Sequence, residues 1–317
     1  MKTVVPERPC NLCGSTGAGI VSERDRRGRP LRTLLCQECG LVFTDPRPSS
    51  SALDEYYRDE YRKEYKGRKL PRVMQVYRNT LAARERLALV VPHVAPGGSV
   101  LDIGSGSGEF LYLLRRSGYR ARGLEPDRGY SSYAQDRLGL DVESRPLGLP
   151  APSGAPFAAI TIFHVLEHLE DPLAAVEILR SWLEPGGALI VEVPNIESRS
   201  TAPHHRFHRA HLYHFNAETL AGVGEANGLE AVRLITAPDG GTITIVFRRD
   251  SPPDSRSLRG NAERVRQSLE GYTDVDHYLG GTLVRQQLRK LGQNLRGRWV
   301  CRGTRDPADV LERVAKA

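Results

Sequence analysis

The chain has 317 residues, of which 39% are hydrophobic and 26% charged, with a formal net charge of +7. Such a composition excludes a disordered or collagen-like chain and allows one large globular domain with one or two small modules. No apolar run reaches the roughly 18 residues needed to span a bilayer. The opening MKTVVPERPC lacks the apolar core of a signal peptide, so a cytoplasmic protein with reduced thiols is expected. The charge is uneven. Residues 1–99 carry 18 Lys+Arg against 11 Asp+Glu (+7), residues 100–250 carry 14 against 19 (−5), and residues 251–317 carry 13 against 8 (+5). Basic flanks of this kind can attract phosphate-bearing partners or form a solvated Arg-rich surface.

Residues 8–44 hold four of the five cysteines as Cys10-x2-Cys13 and Cys36-x2-Cys39, with 22 residues between the pairs. Two such pairs can bring four thiolates to one tetrahedral Zn²⁺. Each pair sits on an expected tight turn, and the glycine after its second cysteine suits a knuckle whose backbone points at the sulfurs. Four sulfurs leave no open coordination position, so the zinc would be structural, and the metal would supply much of the folding energy of so short a segment. Two disulfides are the alternative, and a reducing compartment disfavours them. Cys301 stands alone and reads as a small tail residue.

After this zinc module (residues 1–48), Pro46, Pro48 and the helix-capping Ser49, Ser50 and Ser51 lead into a helical linker or cap (49–96). Helices are expected over 53–66 and 72–91. Strands and helices then alternate. Strands are expected at 100–103, 120–124, 157–163 and 188–193, and helices at 109–116, 130–138, 173–182 and 217–227. This pattern predicts an α/β fold with a parallel sheet covered on both faces. Strands at 229–235 and 242–247 are joined by a turn too short for a parallel crossover, so they should close as an antiparallel hairpin. The alternating domain spans 97–250. Beyond a Pro/Ser/Arg/Gly linker at 251–260, the basic extension 251–317 should be helical over 262–271, 282–296 and 307–316.

Where the first strand turns into the first helix, the chain reads VLDIGSGSG. Glycines there let a backbone approach a ligand closely, and ligands of open α/β sheets bind at this edge. A carboxylate, Glu125, ends the second strand about 20 residues on, where a ribose-gripping group belongs. Together VLDIGSGSG, GLEPD, FAAITIFHVLEHLEDP and LEPGGALIVEVPN resemble the successive motifs of class I S-adenosylmethionine (SAM)-dependent methyltransferases. The resemblance covers residues 99–248 and implies a Rossmann-like, seven-stranded sheet. It implies that Gly104, Ser105 and Gly106 line the methionine part of SAM, with Asp102 placing its amino group. Glu125 would bind the ribose, and Phe163 and His164 would flank the cofactor near its methyl. The acidic adenine contact of the family is not evident around 140–150. A dinucleotide site is the alternative, but the glycine spacing is G-x-G-x-G rather than G-x-G-x-x-G.

The run LLCQECGLVFTDPRP followed by DEYYRDEY deepens the resemblance, toward zinc-ribbon methyltransferases of bacterial carbohydrate and natural-product gene clusters. Some of these methylate carbons of nucleotide-activated sugars. Those enzymes carry a larger C-terminal domain, which weakens C-methylation here.

Most of the nine histidines are bunched. His164, Glu167 and His168 follow the fourth strand of such a sheet, and His204, His205, His208, His211 and His214 follow the fifth. Both loops should open at the carboxyl edge beside the methyl group. O-methylation needs an oriented hydroxyl and a group to take its proton, for which His168 and His211 are the candidates. The set His164-x-x-Glu167-His168 plus His211 also resembles the E-x-x-E-H plus distal His of ubiquinone-pathway and small-RNA methyltransferases, which implies a divalent metal. Asn195 and Glu197 echo the RNA group. His164 replaces a glutamate of that set, which disfavours Mg²⁺ and favours a softer metal. The plain alternative is a metal-free helix cap and packing motif.

The sequence therefore predicts a SAM-dependent methyltransferase acting on a hydroxyl of a small-molecule or glycan acceptor, one that could carry a phosphate or nucleotide. An RNA methyltransferase and a sugar C-methyltransferase are the rivals within enzymes. A zinc-ribbon binding protein with a silent fold is the rival outside them.

Overall fold

The computed structural model describes residues 1–49, 70–249, 258–279 and 282–316. The helix expected over 53–66 and the caps at Ser50 and Ser51 lie outside the described residues, as do residues 251–257 of the linker before the extension.

The chain opens with β1 (Thr3–Val4), β2 (Ala18–Arg24), β3 (Pro30–Cys36) and β4 (Val42–Thr44). It continues through α1 (Val73–Val90), β5 (Ser99–Ile103), α2 (Glu109–Arg116), β6 (Arg120–Leu124), α3 (Arg128–Leu138) and β7 (Asp141–Glu143). Then follow β8 (Phe157–Phe163), α4 (Pro172–Ser181), β9 (Leu183–Pro194), β10 (Tyr213–His214), α5 (Ala217–Glu225), β11 (Leu229–Thr236) and β12 (Thr242–Arg249). The extension forms α6 (Asn261–Glu270), α7 (Asp274–Leu279), α8 (Thr282–Val300) and α9 (Pro307–Lys316).

Two sheets result. The larger has seven strands in the order β11-β12-β9-β8-β5-β6-β7. Strands β8, β5, β6 and β7 run parallel, and β11 and β12 form the expected antiparallel hairpin. Every residue of β5 is buried, as a central strand covered on both faces requires. Short β7 and the strands before residue 49 carry too weak a pattern to be read from sequence.

The smaller sheet has the order β1-β2-β3-β4-β10. Its last strand comes from residues 213–214, far along the chain. Tyr213 pairs with Phe43 and His214 with Val42.

By contacts the chain divides into two compact units that cut across sequence order. The first comprises Met1–Ser50, Phe163–Ser181 and Leu189–Arg285. Its ribbon packs through Leu35 and Val42 on Ile196, Phe207 and Val265. Asn261, at the start of α6, donates to the Cys39 carbonyl at 2.8 Å and accepts from Asn216 at 2.8 Å. Gly40 allows this approach, since a Cβ there would stand 2.7 Å from Asn261 Nδ2. The second unit comprises Ser51–Ile162, Trp182–Ala188 and Gln286–Ala317. Within it α1 packs against α2 and α9.

Candidate functional site

In the second unit, β5 delivers Asp102 and then turns through three glycines, Gly104, Gly106 and Gly108, with φ of 71°, 57° and 88°. The amides of Gly104 and Ser105 donate to the Leu124 carbonyl at 2.8 and 3.0 Å, which folds the turn against the end of β6. Gly123 permits the contact: a Cβ there would meet Ser105 Oγ and Leu111 Cδ1, each at 2.6 Å. Glu125 is 3% exposed. One of its oxygens accepts from the Gly106 amide at 2.7 Å and the other from the Asp127 amide at 2.9 Å. Acid and glycine turn are thus one hydrogen-bonded piece.

Asp102 is buried and accepts from Thr161 Oγ1 at 2.7 Å. Burial, opposed by Thr161, pushes its carboxyl up to about 7. Beside it Ser105 Oγ is buried with no hydrogen-bond partner, and beyond its two chain neighbours no described atom lies within 4 Å of where a Gly106 Cβ would stand. A buried hydroxyl without a partner is costly. A polar ligand seated on the turn would satisfy it, and the turn's chemistry fits SAM.

In the first unit, His164 follows β8 in the left-handed region, at φ 55°, as the only non-glycine there among the described residues. Its Nε2 stands 3.2 Å from Glu192 Oε1 and its Nδ1 3.6 Å from Glu167 Oε1. Burial opposes a charge on this ring, but the two carboxylates outweigh it and raise its pKa to about 9. Glu167 is 1% exposed, and neither of its oxygens has a hydrogen-bond partner. Burial works against its charge too, yet His168 and His164 hold the carboxyl below its usual range.

His168 and His211 face the same oxygen, with Nε2 at 3.8 and 3.9 Å from Glu167 Oε1, and their rings meet edge to face at 4.8 Å. His168 Nδ1 lies 2.6 Å from the Ala210 carbonyl. A carbonyl can only accept, so Nδ1 carries a proton and Nε2 is the nitrogen turned toward Glu167. Burial, reinforced by His168 and His208, drives the His211 pKa well below 6.5. The same causes push His214 to about 3, and burial with Arg26 pushes His208 to about 4. The ligand atoms of Glu167, His168 and His211 all lie within 4.8 Å of one another, a spacing that could hold a metal ion, and His164 is not part of that group. His204 instead pairs with Asp274 at 2.8 Å.

The ribbon holds this cluster in place. Thr44 donates through its amide to the Leu212 carbonyl and through Oγ1 to that of His211, and the Leu212 amide donates to the Glu167 carbonyl at 2.8 Å. The four cysteine sulfurs converge, with Cys10–Cys39 and Cys13–Cys36 each at 3.5 Å. A tetrahedron of Zn–S bonds of about 2.3 Å has an edge of about 3.8 Å, so the donor set fits zinc.

Sequence reasoning missed Glu192 and the β4–β10 seam. Glu192 could have been flagged as the one acid inside a buried strand run; a seam between segments so far apart leaves no sequence signal.

The profile of a family described as "Methyltransferase domain" matches residues 74–234. The C-methyltransferase NovU of Streptomyces niveus is 26% identical over 276 residues, covering 83% of this chain and 62% of that protein. The ubiquinone biosynthesis O-methyltransferase of Xanthomonas campestris pv. campestris (strain B100) is 33% identical over 118 residues, covering 35% of this chain and 49% of that enzyme. The chain thus spans half to two thirds of the length of these relatives. Among solved structures, Burkholderia thailandensis 1,6-didemethyltoxoflavin-N1-methyltransferase, with bound 1,6-didemethyltoxoflavin and S-adenosylhomocysteine, superposes with a TM-score of 0.51 at 18% identity. That match covers 67% of this chain and 96% of the other, and at such identity it speaks to the fold.

Proposed function

The chain belongs to the methyltransferase-domain family, and on that premise we propose that it moves the methyl group of SAM to a hydroxyl on a carbohydrate or natural-product scaffold. SAM, once bound, supplies an activated methyl on a sulfonium. The chain must hold that cofactor, orient the acceptor and take one proton. Gly104, Ser105 and Gly106 would cradle the methionine portion, with Asp102 behind them, and Ser105 Oγ would gain the partner it lacks. Glu125 would exchange its amide contacts for the ribose hydroxyls. Phe163 and His164 would border the cofactor.

One observation carries the reading of the acceptor side. Glu167 is a buried carboxylate with two unsatisfied oxygens, faced by two imidazoles that present Nε2 to it. An acceptor hydroxyl placed there would meet His211, whose ring burial keeps neutral and able to accept its proton, with His168 beside it. Glu167 would then offset the charge gained by the ring. Deprotonation suits oxygen as the methylated atom.

The same three groups support a second reading, in which they hold a divalent metal. Two imidazoles and one carboxylate favour a borderline or softer ion over Mg²⁺, and the metal would position the acceptor oxygen. The fixed His168 tautomer suits a ligand held by a second group. We assign zinc to Cys10, Cys13, Cys36 and Cys39 as a structural ion.

The test is paired. Wild type should bind SAM in a calorimetric titration and release S-adenosylhomocysteine with at least one member of a panel of hydroxylated acceptors. EDTA that abolishes turnover while elemental analysis shows the cysteine-bound zinc retained, with turnover restored by a divalent cation, selects the metal reading; indifference to EDTA selects the base. No SAM binding would overturn the proposal.

A further inference from the structure

Helix α8 (Thr282–Val300) contains five basic residues and no acidic one. Its C-terminal half lies in the second unit and is fixed on one side. A Cβ at Gly297 would meet Met74 and Tyr77 of α1 at 2.6 and 2.8 Å, so the two helices touch almost backbone to side chain there. Arg78 of α1 donates to Asn294 at 2.7 Å.

The side facing away is apolar. Leu291, Leu295 and Trp299 are 55%, 58% and 76% exposed. Residues four apart advance by about 40° around a helix, so these three fall within about 80° of arc, with Gly297 opposite. Arg298 borders this stripe on one side and Arg296 on the other. Both are exposed, and neither has an acidic partner among the described residues. Water is a poor home for such a stripe, and unpaired arginines beside it add a preference for negative charge.

We propose that this face of α8 lies on an anionic lipid surface, with Leu291, Leu295 and Trp299 entering the headgroup–acyl boundary and Arg296 and Arg298 reaching phosphate or carboxylate groups. Leucines and a tryptophan flanked by arginines are the pattern of an interfacial helix, and long arginine side chains can rise from the boundary to the headgroups. Charge selects this occupant. A second copy would set Arg296 and Arg298 against the same two arginines, and like charges oppose one another at such short range. Nucleic acid would use the arginines but leave the leucines in water. No described helix is long and apolar enough to cross a membrane, so the contact is peripheral and reversible.

The chain has two tryptophans, and the other, Trp182, is 3% exposed. Trp299 is therefore a built-in probe. Added to the full chain, vesicles of phosphatidylcholine with phosphatidylserine should shift tryptophan emission to the blue and carry the protein down in sedimentation, and pure phosphatidylcholine vesicles should do neither. Binding should weaken steeply between about 0.1 M and about 0.5 M NaCl. Arg296→Gln and Arg298→Gln should each weaken it roughly fivefold, and Trp299→Ala on the order of tenfold. Calorimetric SAM binding should stay unchanged in all three, which separates lost lipid binding from lost folding. Absence of co-sedimentation, or variants that bind vesicles as tightly as wild type, would overturn the assignment. So would a dimer in sedimentation equilibrium that Leu295→Ala or Trp299→Ala dissolves, since the stripe would then be a self-contact, or an RNA gel shift lost in Arg296→Gln without any vesicle binding.

Discussion

The glycine turn and the histidine cluster are built by opposite means. The turn is local. Asp102, Gly104, Ser105, Gly106 and Glu125 lie within one strand–helix–strand stretch, and the hydrogen bonds from Gly104, Ser105 and Gly106 to Leu124 and Glu125 close it on itself. The cluster is assembled from a distance. Glu167 and His168 come from the exit of β8, Glu192 from β9, His211 from a long loop, and Thr44 of the cysteine ribbon fastens that loop through its backbone. A site made locally depends on its own strand and turn. A site made from remote segments depends on whatever joins them, and here that is the β4–β10 seam of the sheet that carries the four cysteines.

This difference can be broken at the seam. Stripping zinc, or Cys36→Ser, should have the largest effect, because a structural zinc site contributes on the order of 10 kcal/mol to the fold it closes. Elemental analysis should show one zinc per wild-type chain and none in the variant. Methyl transfer should vanish in the variant, with SAM affinity changed by less than about tenfold. Equal loss of both functions would show that the turn depends on the ribbon as much as the cluster does.

Next come the histidines. His168→Ala and His211→Ala should each lower turnover by about 10² and leave SAM affinity nearly unchanged, with strong non-additivity in the double variant. Full additivity would separate the two roles. Glu125→Ala tests the other half. Loss of a hydrogen bond to a charged group costs about 2 kcal/mol, so calorimetry should show SAM binding roughly thirtyfold weaker. The smallest effect belongs to His164. Its folded pKa of about 9 lies above the ordinary 6.5, so its stabilisation is fully present below about pH 6.5 and is lost as pH rises through about 9. The side chain is 38% exposed, and solvent screening limits the effect to about 1 kcal/mol. Denaturant titrations of His164→Gln should show a flatter stability profile between those pH values than wild type.

The same contrast governs what sequence reveals. The larger sheet was legible because each strand and helix announces itself within a dozen residues, and the turn because its glycines and Glu125 share one short unit. Cys10, Cys13, Cys36 and Cys39 were legible as a group from spacing alone. His168 and His211 could be nominated by chemistry, but their approach to Glu167 rests on the seam between Val42 and His214, which no periodicity encodes. Glu192 hid among the buried residues of β9, where an acid reads as the polar step of an alternating strand. Likewise β1 to β4 escaped, since β1 and β4 have only two and three residues and β2 and β3 lack a clean alternation of buried and exposed positions. The stripe of α8 follows helical spacing that would ordinarily indicate a buried face, and only its exposure reverses that reading.

Glu167→Gln isolates the buried carboxylate, because the substitution keeps the shape of the side chain and removes the charge that His168 and His211 face. SAM affinity by calorimetry and S-adenosylhomocysteine release with a working acceptor should be measured on the same preparation. Affinity should stay within about twofold of wild type and turnover should fall by about 10² or more. Turnover at the wild-type rate with SAM binding intact would contradict that expectation, since the buried carboxylate and its imidazoles would then have no part in the transfer.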